Sequence, residues 1–260
     1  MNTISILQPA SDEYLQIAGE KHDLSQDFID SHEHPQEDYL SVADDLPICA
    51  VADGVTLDVE ELVNQGVSYP DPSPSGRTAE IFCESVITFS AEIYESFDQS
   101  DIDHVFTQAN ERVAEYNQTV NRKELVNNPT GEFAATGAFL VKKRNTVYWT
   151  TICDSFFAHF DSEMNQKFMS TGGCDPYAVI NGESRMVNFT ESGVRNAEAG
   201  DRLFLFTDGF ERYFNHEQFL QFFTEWEDGL QEQVRDFSQK IAQEKPKKFG
   251  HERSLIAIRV

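Results

Sequence analysis

The chain combines short continuous apolar runs with segments in which apolar residues recur every three or four positions. A short apolar run between turn residues is typical of a buried strand. The runs predict strands near 39–43, 47–52, 133–141, 146–152, 156–160, 166–170, 201–206 and 254–260. Helical segments between these strands favour mixed sheets that are covered by helices.

The three- and four-residue spacing predicts helices at 76–97, 101–116 and 228–244. We expect the first two to pack as an antiparallel pair, with Ser100 capping the second. Asn215 and Gln218 resemble a capping box that opens another short helix. Proline, glycine and polar residues predict loops at 64–76 and around 171–183.

Two predicted strands end in the same dipeptide. Asp53-Gly54 follows one apolar run, and Asp208-Gly209 follows another. An aspartate at the end of a buried strand is well placed to bind a metal ion, and a glycine lets its carbonyl approach the ion closely. If the two strands are neighbours, Asp53 and Asp208 face each other across one site. A strand-end Asp-Gly pair can also be a simple turn.

The size and composition of the chain are sufficient for a large core, since 40% of its 260 residues are hydrophobic and 21 are phenylalanine. We expect a single domain over residues 1–260. No apolar run approaches the roughly 20 residues that span a bilayer. The N-terminus lacks the basic and apolar regions of a secretory signal, so we expect a cytoplasmic protein.

The chain has four cysteines, and their spacing is not that of a metal site. We therefore expect all four to be reduced: Cys49, Cys83, Cys153 and Cys174.

The net charge is −25, because 45 acidic residues face 20 basic ones. Such a surface repels the phosphates of nucleic acids and anionic membranes, so we expect neither as a partner. A solvated acidic surface that keeps the protein soluble explains this charge, and adaptation to high salt would explain it as well.

Further acidic residues lie beside predicted strands. Asp154 follows the strand at 146–152, and Glu37 and Asp38 precede the strand at 39–43. Carboxylates gathered at strand ends repel one another unless cations neutralise them, and hard oxygen donors select Mg²⁺ or Mn²⁺ over zinc. For Asp154, a turn explains the sequence as well as a metal ligand does.

The order of these motifs resembles the metal-dependent serine/threonine phosphatases of type 2C. The resemblance extends from about Asp38 to the C-terminus, and its most specific part is the GDRLFLFTDG block at 200–209. It implies an α+β fold, a four-layer α-β-β-α sandwich in which two stacked antiparallel sheets lie between helix pairs. It also implies hydrolysis of phosphoserine or phosphothreonine in a protein substrate by water that two Mn²⁺ or Mg²⁺ ions activate, without a protein nucleophile.

The resemblance also implies roles for single residues. Asp53 corresponds to the aspartate that contacts both ions, Gly54 to the glycine whose carbonyl binds one ion, and Asp208 to a ligand of the other. Glu37 and Asp38 correspond to an acidic pair that acts mainly through metal-bound water.

Asp154 corresponds to an aspartate linked to a third, weaker metal site. Other positions depart from the family pattern. Val55 stands where animal members have a histidine that is often proposed as general acid. Glu33 replaces an arginine that grips phosphate, a role for which His34 or Arg77 could substitute.

The closing motif departs as well, since His251-Glu252 stands where the family has Asp-Asn or Asp-Asp. Either residue could complete the second metal site with a preference for manganese, or both could be solvated residues. Three functions therefore stay open: a divergent protein phosphatase, a pseudophosphatase that binds a phosphoprotein or regulator, and a phosphatase of a small metabolite.

Overall fold

The computed structural model describes residues 2–21, 24–26, 29, 34–120 and 132–260. Glu33, one of the departures noted above, lies outside these residues. The described residues form ten strands: β1 (Asn2–Gln8), β2 (Asp38–Val42), β3 (Ile48–Gly54), β4 (Ala135–Lys143), β5 (Thr146–Ile152), β6 (Phe156–Phe160), β7 (Gln166–Met169), β8 (Glu191–Asn196), β9 (Arg202–Phe206) and β10 (Arg253–Arg259).

The strands form two antiparallel sheets of five, with the orders β1-β10-β9-β6-β7 and β2-β3-β4-β5-β8. The helices are α1 (Asp12–Lys21), α2 (Val59–Gln65), α3 (Pro74–Glu92), α4 (Asp101–Thr119), α5 (Asp208–Glu211), α6 (Glu217–Gln221), α7 (Leu230–Glu244) and α8 (Pro246–Phe249). Two 3₁₀ helices occupy Ser184–Phe189 and Arg212–Asn215.

Alternation along each strand divides the core into layers. In β3, Cys49 and Val51 point between the sheets and pack with Leu205 of β9, whereas Ala50 and Ala52 face the helices on the other side. The helices α3 and α4 cover one sheet, and α7 with the short helices covers the other through a phenylalanine-rich core. The α+β sandwich with helices on both outer faces is thus confirmed.

The eight predicted strands are all present, with ends within about two residues, and α3 and α4 do pack together. The prediction missed β1 and β8. In β8 the side chains alternate between exposed and half-buried, so that strand contains no apolar run. The two Asp-Gly strands are not side by side in one sheet, because β3 and β9 belong to different sheets, but they face each other across the inter-sheet core.

The predicted helix caps were also wrong in detail. Ser100 precedes α4, but its hydroxyl donates to Asp98 at 2.6 Å and does not cap the helix. The Asn215–Gln218 box does not form, since α6 begins after His216 and has no side-chain cap. Local sequence favoured both caps, but the Ser100 hydroxyl is engaged by Asp98 and α6 begins one residue later than the box requires.

The expectation of four reduced cysteines holds for Cys49 and Cys83, which are buried free thiols, but Cys153 and Cys174 form a disulfide. The reason is topological. Cys153 precedes β6 and Cys174 follows β7, and these strands pair as an antiparallel hairpin whose outer ends meet. Spacing in the sequence did not reveal this proximity.

Candidate active site

Acidic side chains from five separate segments meet at one end of the sandwich. Asp38 and Asp53 lie directly opposite each other on β2 and β3. Asp208 follows β9 in the other sheet, Glu252 precedes β10, and Asp154 follows β5. The charge of each of the other four carboxylates raises the pKa of Asp53. The fold therefore brings together the acidic residues that the sequence pattern had singled out.

Burial and mutual repulsion make these groups hard to ionise together. Burial is the main cause that raises the pKa of Asp38 and of Asp53 well above the usual range, and neighbouring carboxylates raise both further. Burial, followed by the charge of Asp154, raises the pKa of Asp208 to about 7. The pKa of Glu252 is raised to about 7, also mainly by burial. A cluster of this kind is favourable to cations.

Some carboxylate oxygens in this cluster have no hydrogen-bond partner. Among the described residues they are Oδ1 of Asp38 and Oδ1 of Asp154, both of them buried. Buried oxygens normally accept a hydrogen bond, so unpartnered ones need another interaction. Oxygen donors of this kind fit Mg²⁺ or Mn²⁺. The residues present are thus suited to the divalent ions that the sequence pattern suggested.

Glu252 and Glu37 are both held by specific hydrogen bonds. Oε1 of Glu252 accepts from the backbone N–H of Asp38 at 2.6 Å and from that of Glu37. Oε1 of Glu37 accepts from the hydroxyls of Tyr69, at 2.8 Å, and Ser73. His34 Nε2 lies 3.3 Å from the other Glu37 oxygen. Glu37 therefore links the start of β2 to the segment that precedes α3.

Thr207 is a site residue that the sequence analysis missed. Its hydroxyl donates to Oδ2 of Asp38 at 2.7 Å and accepts from the Ser254 N–H at 2.9 Å. The bond joins Asp38, in one sheet, to the end of β9 in the other. Nothing in the apolar pattern distinguishes this threonine from an ordinary strand end, since its partner is 169 residues away in sequence.

The glycines of the two Asp-Gly pairs are required by close packing. A Cβ on Gly54 would lie 2.6 Å from the carbonyl carbon of Ser75, at the start of α3. A Cβ on Gly209 would overlap the carbonyl oxygen of Glu252. Each glycine thus lets another segment of the site approach its aspartate. An ion-binding role for the Gly54 carbonyl stays a prediction.

Asp154 lies in a turn with an unusual backbone. The preceding residue, Cys153, has φ of 58°, in the left-handed region that side chains other than glycine rarely adopt. The disulfide to Cys174 ties this turn to the loop that carries Tyr177. Asp154 and Tyr177 both line the cavity above the carboxylates.

That cavity has a volume of about 810 Å³. His34 and His251 line it, whereas Arg77 does not and instead pairs with Glu80. His251 is exposed, and its ring packs at a tilt of 40° against the ring of Tyr14, with centroids 4.2 Å apart. Whether His251 or His34 binds an ion or phosphate stays a prediction.

Two arginines near the site were also missed. Arg253 is buried, and its guanidinium donates to the carbonyl of His251 at 2.8 Å, which fixes the closing turn. Arg212 lies close enough for its charge to lower the pKa of His251, although the partial desolvation of this imidazole by the surrounding protein lowers that pKa more. Sequence position alone gave no reason to place either arginine here.

Comparison with known proteins decides the family. The model of a family described as protein phosphatase 2C matches residues 26–244. The chain belongs to the protein phosphatase 2C family. It is therefore a metal-dependent serine/threonine phosphatase by class, and the resemblance of its motifs to that family is confirmed. A search of the curated proteins finds no match to the sequence.

Solved structures of other phosphatases share the fold. A bacterial serine phosphatase is 11% identical, with a TM-score of 0.63 and coverage of 100% of this chain and 98% of that one. The catalytic domain of the phosphatase PstP, in complex with two manganese ions, is 14% identical, with a TM-score of 0.58 and coverage of 98% and 96%. The photosystem II phosphatase PBCP is 13% identical, with a TM-score of 0.61 and coverage of 100% and 98%.

The low sequence identities to these structures make this chain a divergent member of the family. Within the described residues, we find no helix with the length and apolar character needed to cross a membrane.

Proposed function

We propose that this 2C phosphatase removes phosphate from phosphoserine and phosphothreonine in proteins by means of two Mn²⁺ or Mg²⁺ ions. The observation that carries the proposal is the convergence of Asp38, Asp53, Asp208 and Glu252, which are buried or half-buried and have raised pKa values. Two bound ions would neutralise this repulsion, acidify a coordinated water and offset the charge of the phosphoryl oxygens.

The residues of the acidic cluster would have different roles in binding the two ions. Asp53, which is electrostatically coupled to all the other carboxylates, would contact both ions, and Asp208 would hold one of them. Asp38 would be oriented by the hydroxyl of Thr207. His251 or Glu252 would complete the second ion's shell. These assignments follow the family pattern, and the hydrogen bonds and burial described above support them.

Further site residues would have supporting roles. The carbonyl of Gly54 would bind one ion, Glu37 would act through coordinated water, and Asp154 would hold a third, weaker ion. The unpartnered, buried Oδ1 of Asp154 supports the last of these roles. The substrate would be a phosphorylated protein.

A hydrolysis assay tests the proposal. Purified protein is supplied with a phosphothreonine peptide and an aryl phosphate in manganese, in magnesium and in chelator. We expect turnover that requires metal and is abolished by Asp53→Asn, because that change removes a charge that anchors both ions. Asp45→Asn, an exposed aspartate in the turn before β3, is the matched control and should keep full turnover.

A second candidate, a pseudophosphatase, is favoured by one observation. His251 stands in the closing motif and its ring packs against that of Tyr14, so it is engaged in a contact that a small aspartate could not make. Metal binding by calorimetry without turnover of either substrate would support this candidate and exclude the leading one.

A further inference from the structure

The cavity above the carboxylates has a large apolar portion. The segment between β1 and β2 contributes Tyr14, Leu15 and Ala18 of α1, followed by Leu24 and Ile29. All five are partly exposed in the structure. Partly exposed apolar side chains that converge beside a catalytic centre are typical of a surface that binds a ligand.

The segment after β3 contributes a second group of apolar side chains, Val55, Leu57 and Val59. This segment is fixed to the acidic cluster. The Leu57 N–H donates to the hydroxyl of Tyr69 at 2.9 Å, and that hydroxyl donates to Glu37. The apolar surface is therefore held in a defined position relative to the carboxylates.

Among the described residues that line the cavity, every charged side chain other than the histidines His34 and His251 is acidic. Besides the acidic cluster, the exposed Asp58 and Glu60 at the start of α2 line the cavity. Among its described lining residues there is no lysine or arginine. Acidic side chains of a ligand would be repelled here, and basic ones would be attracted. The charge of the cavity thus favours peptides with basic side chains over peptides with acidic ones.

The volume also points to a ligand larger than one phosphorylated side chain. At about 810 Å³ the cavity is near the upper end of the range of roughly 300–1,000 Å³ for ligand pockets. A phosphoserine at the carboxylates would leave the apolar portion for neighbouring residues of the substrate.

We propose that this cavity selects phosphopeptides with a bulky apolar residue next to the phosphorylated residue and a basic residue nearby. The proposal rests on the proposed function, because it assumes that the phosphate lies at the acidic cluster. The apolar residue would contact Leu15 and Val59, and the basic residue would lie near Asp58 and Glu60.

The test uses phosphothreonine peptides of equal length that differ at two positions. One position is leucine or serine beside the phosphothreonine, and the other is lysine or glutamate two residues away. The kcat/KM with manganese and the binding constant by fluorescence anisotropy are measured for each peptide. We expect leucine with lysine to exceed serine with glutamate by at least about 10-fold, as is usual for an apolar contact in a specific pocket.

Three variants locate the effect. Leu15→Ser and Val59→Ser should each reduce the leucine-to-serine ratio to less than about 3. Both side chains are partly exposed, so the variants should fold. Val194→Ser, on the exposed side of β8, is the matched control and should keep the parent ratio.

The outcomes separate the two proposals. Turnover of all peptides within about twofold of one another would overturn the selectivity and leave the phosphatase function standing. Preferential binding of the leucine and lysine peptide without any turnover would support the selectivity and overturn the function. Absence of both turnover and preference would overturn both.

Discussion

Replacement of Asp208 by asparagine should stabilise the metal-free protein although it removes a proposed metal ligand. In the folded protein the pKa of this carboxyl is about 7, compared with an ordinary value of 3.8, mainly because it is buried. Between these two values the folded state binds more protons than the unfolded state. The stability of the metal-free protein should therefore fall as the pH rises from about 4 to about 7.

The size of the effect follows from the two pKa values. Asp208 should cost about 1 kcal/mol of stability at pH 4.5 and about 4 kcal/mol at pH 7.5, where its folded form is mostly ionised. Asp208→Asn removes this cost and keeps an oxygen that can accept from the Gly209 N–H. We expect the variant to gain roughly 2–4 kcal/mol at pH 7.5 and at most about 1 kcal/mol at pH 4.5.

Denaturant unfolding in the presence of chelator measures the gain, with Asp45→Asn as the exposed control that should change nothing. Manganese should reverse the order, since an ion that binds the folded parent raises its stability by mass action. A variant no more stable than the parent at pH 7.5 in chelator would refute the claim that ionisation of this buried carboxyl destabilises the metal-free fold.

Two further predictions concern Cys174 and His251. Cys174→Ser should lower the free energy of unfolding by about 3 kcal/mol, because the bond to Cys153 closes a loop with a sequence separation of 21. Reductant should lower the melting temperature of the parent and leave that of the variant unchanged. A parent whose melting temperature is insensitive to reductant would contradict the pairing. His251→Asp should raise the ratio of magnesium- to manganese-supported kcat/KM, because magnesium prefers oxygen to imidazole; an unchanged ratio would mean that His251 is not a ligand.

The sequence was most informative where a strand is buried on both faces. Continuous apolar runs such as β9, with every residue buried, leave little doubt about the local structure. The half-exposed β8 produces no such run and was missed. Sequence order and the repeated Asp-Gly pair were enough to find the carboxylates, since strand ends fix their positions.

Other parts of the site depend on contacts between distant segments. Two hydrogen bonds of the site cannot be predicted from the local sequence around their partners. They join Thr207 to Asp38 and Tyr69 to Glu37. The Cys153–Cys174 bond depends on the hairpin formed by β6 and β7, and spacing alone cannot show which strands pair. Part of the apolar lining of the cavity comes from α1, which the sequence analysis did not predict.

The hydrogen bond between Thr207 and Asp38 has a consequence for the order of folding. Within each sheet the strands are joined by backbone ladders, but the carboxylates come from both sheets, so the complete site exists only after the sheets have stacked. Ions that bind this site would therefore connect the two sheets only late in folding. Such ions would slow the separation of the sheets and hence unfolding, while the rate of folding would change little.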